Sequence, residues 1–192
     1  MLAPKLRGVF FVAHVVVLPL RRTPIQAHED NLAVRIATRD ELYLAARRMP
    51  MQLTEGFVDA SLARGDLCAA AFDEDVMVGF MWASLSGAPL DDHLRAEVRP
   101  PFTYGYKSFV LPQYRGRRIL AKMAEVRDQA SLERGRDFNV AYIETHNFAS
   151  YQSALHAGTR HCGFVGYVRV LGRCYPFRTL GARRTTLRLV RR

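Results

Sequence analysis

The chain has no low-complexity tract and no internal repeat, so neither a repeat array nor a disordered tail makes up its bulk. It has no run of about 18 apolar residues, so no transmembrane helix is expected. The apolar run from Val9 to Leu20 is too short for one. Lys5 and Arg7 before it resemble the start of a signal peptide. Arg21, Arg22 and Pro24 follow, however, where a cleavage site would need small residues. Cysteine is scarce. Cys68, Cys162 and Cys174 lack the close spacing of a zinc site, and an odd number does not complete a disulfide framework. They read as reduced thiols of a cytoplasmic protein. Acidic residues are few: 18 stand against 28 Lys and Arg, a net charge of +10.

That excess favours an anionic partner: nucleic acid, an anionic membrane surface or a phosphorylated cofactor. Composition does not choose among them. Arginine dominates, and much of it lies in two places, Arg115–Arg118 and the tail from Arg183 to Arg192. The length of 192 residues suits one domain with a substantial core. Residues 1–30 read as an N-terminal extension, 31–180 as the domain, and 181–192 as a basic tail.

Within the extension, 10–18 are strongly β-prone. They could add a strand, mediate a dimer or touch a membrane; His14 reads as a half-buried strand residue. A strand is expected over 32–37. Thr38 and Glu41 then make a capping box for a helix running toward Met49. A second helix spans about 54–64, with Gly65 after it. Strands over 67–72 and 76–85 form a hairpin. Trp82 packs a sheet face or stacks on a substrate. Residues 86–101, with Asp91, Asp92, His93 and Glu97, read as a mobile loop. A strand over 139–145, a helix over 147–157 and strands over 161–171 and from 175 complete the order. The fold class expected is α+β: a mixed, mainly antiparallel sheet flanked by helices.

The centre of the chain is 103–123. Its first half is aromatic and β-branched, so it is a strand, ended by Pro112. A basic glycine turn follows, and Ile119, Leu120, Met123 and Val126 have helical spacing, so a helix is expected to start near Gly116. Amides in a first helical turn have no partner in the helix and face an anion. Gly116 lets a phosphate approach the backbone, and Arg115, Arg117 and Arg118 add forked cationic donors.

Val110-Leu111-Pro112-Gln113-Tyr114-Arg115-Gly116-Arg117-Arg118 resembles the pyrophosphate loop of the GNAT acyltransferases, V-x-P-x-[YF]-R-G-x-[GA]. Gln113 fills the family's Gln/Arg place, while Arg118 stands where the family has a small residue. Asn147-Phe148-Ala149-Ser150, with Gly158 beyond, resembles the family's second element, which lines the pantetheine arm. The family's tyrosine seven residues after that Asn is Ala154 here, and the phenylalanine after the glycine is Thr159.

The resemblance covers about 32–171. It implies acetyl-CoA or a longer acyl-CoA as co-substrate, no metal, and direct transfer to an amine. It places the cofactor against Phe109, Val110, Leu111, Gln113, Tyr114, Arg115, Gly116, Arg117, Arg118 and Ile119, and against Asn147 and Ser150. Glu144, then Glu97, are the candidate bases. Amides of Val110 and Leu111 would face the oxyanion, and Tyr151 or water would protonate the thiolate. Tyr104, Tyr106 and Trp82 are the candidate acceptor contacts. The acceptor is an amine of unknown identity, with an amphiphilic or lipid amine as one variant. The basic tail is a candidate contact for the inner face of an anionic membrane. A monomer or homodimer is expected, without nucleic acid. Two rivals stand beside this reading: a non-catalytic acyl-CoA-binding regulatory module, and a basic nucleic-acid-binding protein.

Overall fold

The computed structural model describes residues 9–21 and 31–192. Residues 1–8 and 22–30, most of the expected extension, lie outside them. The described residues group into two compact units.

One unit comprises Leu20–Leu85 and Gly105–Arg136. It contains β2 (Ala33–Ile36), α1 (Arg39–Arg48), α2 (Glu55–Ala63), β3 (Leu67–Asp73), β4 (Val76–Ser84), most of β7 (Phe102–Val110) and α3 (Ile119–Leu132). Its strands run in the order β7-β4-β3-β2. In β3 every residue from Leu67 to Phe72 is buried, because helices cover both faces. Alternation divides them. Cys68, Ala70 and Phe72 join Phe80 and Trp82 beneath α1 and α2, while Ala69, Ala71 and Val78 meet Ile119 and Met123 of α3. Small side chains at successive positions let helices approach from both sides.

The helix starts follow side-chain chemistry. Thr38 accepts from the Glu41 N–H, and Glu41 Oε2 accepts from the Thr38 N–H at 2.8 Å, the reciprocal box expected for α1. Thr54 caps α2 in the same way, accepting from the Phe57 N–H. α3 differs. It starts at Ile119, three residues later than expected, because Gly116 (φ 83°) and Arg118 (φ 54°) are left-handed and cannot sit inside a right-handed helix.

The other unit is assembled from Met1–Pro19, Ser86–Tyr104 and Asp137–Arg192. It contains β1 (Phe10–Pro19), β5 (Gly87–Pro89), β6 (Leu94–Glu97), the start of β7, β8 (Phe138–Glu144), α4 (Phe148–His156), β9 (Arg160–Val170), β10 (Arg173–Arg178) and β11 (Arg188–Arg191). The order is β10-β9-β1-β8-β7, antiparallel except for the parallel pair β7–β8. That pair covers Phe102↔Phe138 to Tyr104↔Val140. Phe11, Ala13 and Val15 are buried on one face of β1, and the Phe11 ring stacks on Tyr167 at 5.5 Å.

One alternative is selected and two expectations are corrected here. Of the readings for residues 10–18, the added strand is found: β1 lies between β8 and β9, with Val15 opposite both Tyr142 and Gly163. Residues 86–101 are not a free loop. They hold the hairpin β5–β6, whose turn is tied by Asp91 Oδ1 accepting from the His93 and Leu94 amides at 2.7 and 2.8 Å. The tail ends in a paired strand, β11 against β6, with Leu187 and Leu189 buried.

Candidate functional site

The start of α3 is the one α-helix start among the described residues without a side-chain cap; α1, α2 and α4 are capped by Thr38, Thr54 and Asn147. Its first turn also carries no acidic residue. Among the described residues, the amides of Gly116, Arg117, Ile119 and Leu120 find no protein acceptor, whereas those of Tyr114 and Arg115 are taken by Leu111 O and Pro112 O. Four unclaimed donors at the positive end of a 14-residue helix are a donor set suited to an anion. A Cβ built on Gly116 would meet nothing within 4 Å, so the backbone there is open to a ligand.

The loop side chains are braced by the protein. Tyr114 Oη donates to Asp73 Oδ2 at 2.5 Å, and this hydrogen bond raises the phenol above its usual value. Arg117 lies over the Tyr114 ring at 5.3 Å. Arg115 Nε donates to Val110 O at 3.3 Å, leaving its remaining guanidinium donors exposed. This donor set fits a diphosphate: several amides, open space at a glycine, and planar cations. Phe109 and Val110 end β7, Leu111 follows as the N-cap of the 3-10 turn, and Gln113 lies within that turn. One expected role is corrected. The Leu111 N–H donates to Val78 O at 2.9 Å, so the sheet has already taken that oxyanion donor.

The remaining candidates belong to the other unit. Asn147 Oδ1 accepts from the Ser150 N–H at 3.2 Å and caps α4, leaving the Asn147 amide donors for other work. Tyr151 follows on α4, its ring stacked on His14 at 4.2 Å. His14 Nδ1 lies 3.4 Å from His161 Nε2, and burial, with His161 second, pushes His14 below the usual imidazole value. The sequence gives no local sign of this cluster, because His14, Tyr151 and His161 lie on three distant segments. Glu144 ends β8 with its Oε2 3.4 Å from His146 Nε2. Glu97 is on β6, not in a mobile loop. Arg188 grips its Oε2 at 2.8 and 3.1 Å, so it is committed to a structural ion pair.

The aromatic acceptor candidates are core residues. Trp82 is fully buried, with its ring edge-on to Phe57 at 5.4 Å. Tyr104 is 2% exposed and lies against Tyr142. Tyr106 Oη donates to Asp66 Oδ2 at 2.9 Å, and burial raises its pKa further than the neighbouring Asp66 does. The aromatic pattern marks a strand but does not show which helices cover it.

No family model and no curated protein matches the chain. Solved structures do. Aminoglycoside N-acetyltransferase AAC(6')-Iy in complex with CoA aligns over 71% of this chain and 90% of its own, at 16% identity and a TM-score of 0.53. The 6'-N-acetyltransferase AAC(6')-Ih from Acinetobacter baumannii covers 68% and 92% at 13% identity and a TM-score of 0.54. A protein from Novosphingobium aromaticivorans, described as an acetyltransferase of the GNAT family, covers 81% and 62% at 13% identity and 0.50.

The chain has the GNAT fold. At these identities the likeness concerns the fold, and the chemistry has to be argued from this chain's own residues. The GNAT-like loop read from the sequence coincides with the uncapped start of α3.

Proposed function

We propose that the protein is an acyl-CoA-dependent N-acyltransferase that transfers an acetyl or longer acyl group directly to an amine. The observation that carries this reading is the set of unclaimed amides at Gly116, Arg117, Ile119 and Leu120, beside Arg115 and Arg117, in a chain of GNAT fold. They would hold the diphosphate of the carrier. Asn147 and Ser150 would contact its amide-containing arm. The bound thioester supplies an activated carbonyl; the protein's part is to orient it and to manage protons.

The acceptor's proton is the main obstacle. An amine of pKa about 10 is neutral in about one molecule in a thousand at pH 7, a handicap of about 4 kcal/mol. Glu144 is the proposed base, and its neighbour His146 offers a route for the proton to solvent. Tyr151 or water protonates the departing thiolate. The acceptor is an amine, with an amphiphilic or lipid amine as the variant we favour, given the exposed apolar surface of the unit that carries Tyr151.

Gly116→Asp tests the reading. It puts a carboxylate among the amides, so CoA affinity should fall at least about tenfold by calorimetry, while the left-handed φ at this position lowers the melting temperature by only a few degrees and the protein stays folded. Unchanged affinity would detach the loop from the site. Release of free thiol from acetyl-CoA, decanoyl-CoA and an amine panel tests transfer itself. Ala154 and the occupied Leu111 amide favour one second reading, a non-catalytic acyl-CoA-binding module. Tight CoA binding with no thiol release on any pairing would select it.

A further inference from the structure

The region beyond Glu144 has an unusual balance of charge. Residues 145–192 hold nine arginines and no aspartate or glutamate. Some of these arginines are internal braces: Arg188 binds Glu97, and Arg191 donates to Cys174 O. Arg160, Arg173, Arg183 and Arg184 are exposed and form no ion pair among the described residues.

Large apolar side chains also lie along β9, β10 and the turns that flank β10. Residues opposite one another in a ladder point to the same face. Phe10 pairs with Val168, which pairs with Tyr175, and Val170 pairs with Arg173. Phe10, Val170 and Tyr175 are each about half exposed, so among the described residues this end of the sheet face is at most partly covered, with the Arg191 guanidinium 5.6 Å from the Tyr175 ring centre. Leu171 and Leu180, in the turns at either end of β10, are 97% and 79% exposed.

Leu171 is the informative residue. With Val170 paired to Arg173, the hairpin loop is Leu171-Gly172, and both residues have positive φ, 47° and 75°. That is a type I′ turn, whose first position suits Asn, Asp or Gly. A leucine there is unfavourable twice, in its backbone conformation and in its exposure to water. Neither the turn nor the core uses its side chain.

We propose that this face, the β10 edge with the Leu171 and Leu180 turns, docks on an anionic lipid bilayer. The leucines and Tyr175 enter the headgroup layer while Arg173, Arg183 and Arg184 meet lipid phosphates. Charge decides against a second copy of the chain, since two such faces would set arginine against arginine with no acid between them. Aliphatic exposure decides against nucleic acid, which offers phosphates for the guanidiniums but little for Leu171 and Leu180. The docking stands apart from the proposed acyl transfer, because none of its residues belongs to that site.

Co-sedimentation of the full chain with lipid vesicles tests it. Vesicles of phosphatidylcholine with about 30% phosphatidylglycerol should bind the protein, pure phosphatidylcholine should not, and added salt should weaken binding. Leu171→Asn with Tyr175→Ser, and separately Arg173→Glu with Arg183→Glu, should each lower the bound fraction about tenfold. Asn accepts left-handed φ, so the first variant should keep the wild-type circular dichroism and melting temperature. Absent vesicle binding would overturn the proposal, as would wild-type binding by the Leu171→Asn/Tyr175→Ser variant. So would a dimer in sedimentation velocity, or duplex DNA binding, that this variant abolishes while vesicle binding persists.

Discussion

Tyr106 shows how far a single residue can be read from sequence. Its aromatic character and strand setting were legible, and they suggested an acceptor contact. The structure instead gives its hydroxyl to Asp66, whose side chain is fully buried and also held by Arg64 Nη2 at 2.7 Å. Ser61 completes the cluster at 3.1 Å. Ser61 and Asp66 lie at and just after the end of α2, but Tyr106 comes from β7, 40 residues beyond Asp66, so nothing local announces the contact. Tyr106→Phe removes a hydrogen bond to a buried charge, and stability should fall by about 2 kcal/mol. Urea unfolding would record this as a lower midpoint at unchanged slope. A midpoint at the wild-type value, with a raised KM for the amine, would return Tyr106 to the acceptor site. Gly116 is the opposite case. The open backbone before α3 was readable because a glycine beside arginines before a helix is a local pattern.

At the scale of elements, caps were the most legible features and distant pairings the least. Thr38, Thr54 and Asn147 each mark a helix start through side-chain chemistry with residues three positions on. β5 and β6 were missed because β11, which pairs with β6, lies about ninety residues downstream, and the Gly- and Pro-containing segment reads as a loop without it. The capping box makes a prediction of its own. The hydrogen bond from Arg35 is the largest influence on Glu41 and holds its carboxyl at about 2, with Thr38 adding to it. A depressed carboxyl stabilises the fold above its unfolded value, and the benefit fades as pH falls from about 4.5 through 2. Glu41→Gln keeps the cap geometry but removes the charge. This pair is largely solvent-exposed, so the variant should lose only about 1 kcal/mol at neutral pH. Urea midpoints of the two proteins should draw together below about pH 4.5 and meet only as pH falls through about 2; a gap that stays constant with pH would exclude the ionised pair as its source.

For the whole molecule, the sequence placed the domain between residues 31 and 180, because the GNAT-like motifs lie inside those limits. Motifs mark where chemistry sits; they do not mark what completes a sheet. The unit that carries α4 is built from three segments, and both chain ends contribute strands to it. β1 supplies both the β8 and β9 partners with a ladder, and its Ala13 and Val15 are fully buried. β11 closes the small sheet through β6, burying Leu187 and Leu189 at 1% and 5% exposure. Burying each of those leucines is worth about 2 kcal/mol, and removing β1 would open two rows of backbone donors and acceptors as well. Folded domains are stable by only about 5–15 kcal/mol, so either loss is large on that scale. A chain cut to residues 31–180 should therefore fail to fold cooperatively, showing no sharp thermal transition by circular dichroism. A cooperative transition in the 31–180 chain at the full protein's melting temperature would show that the two terminal strands are accessories after all.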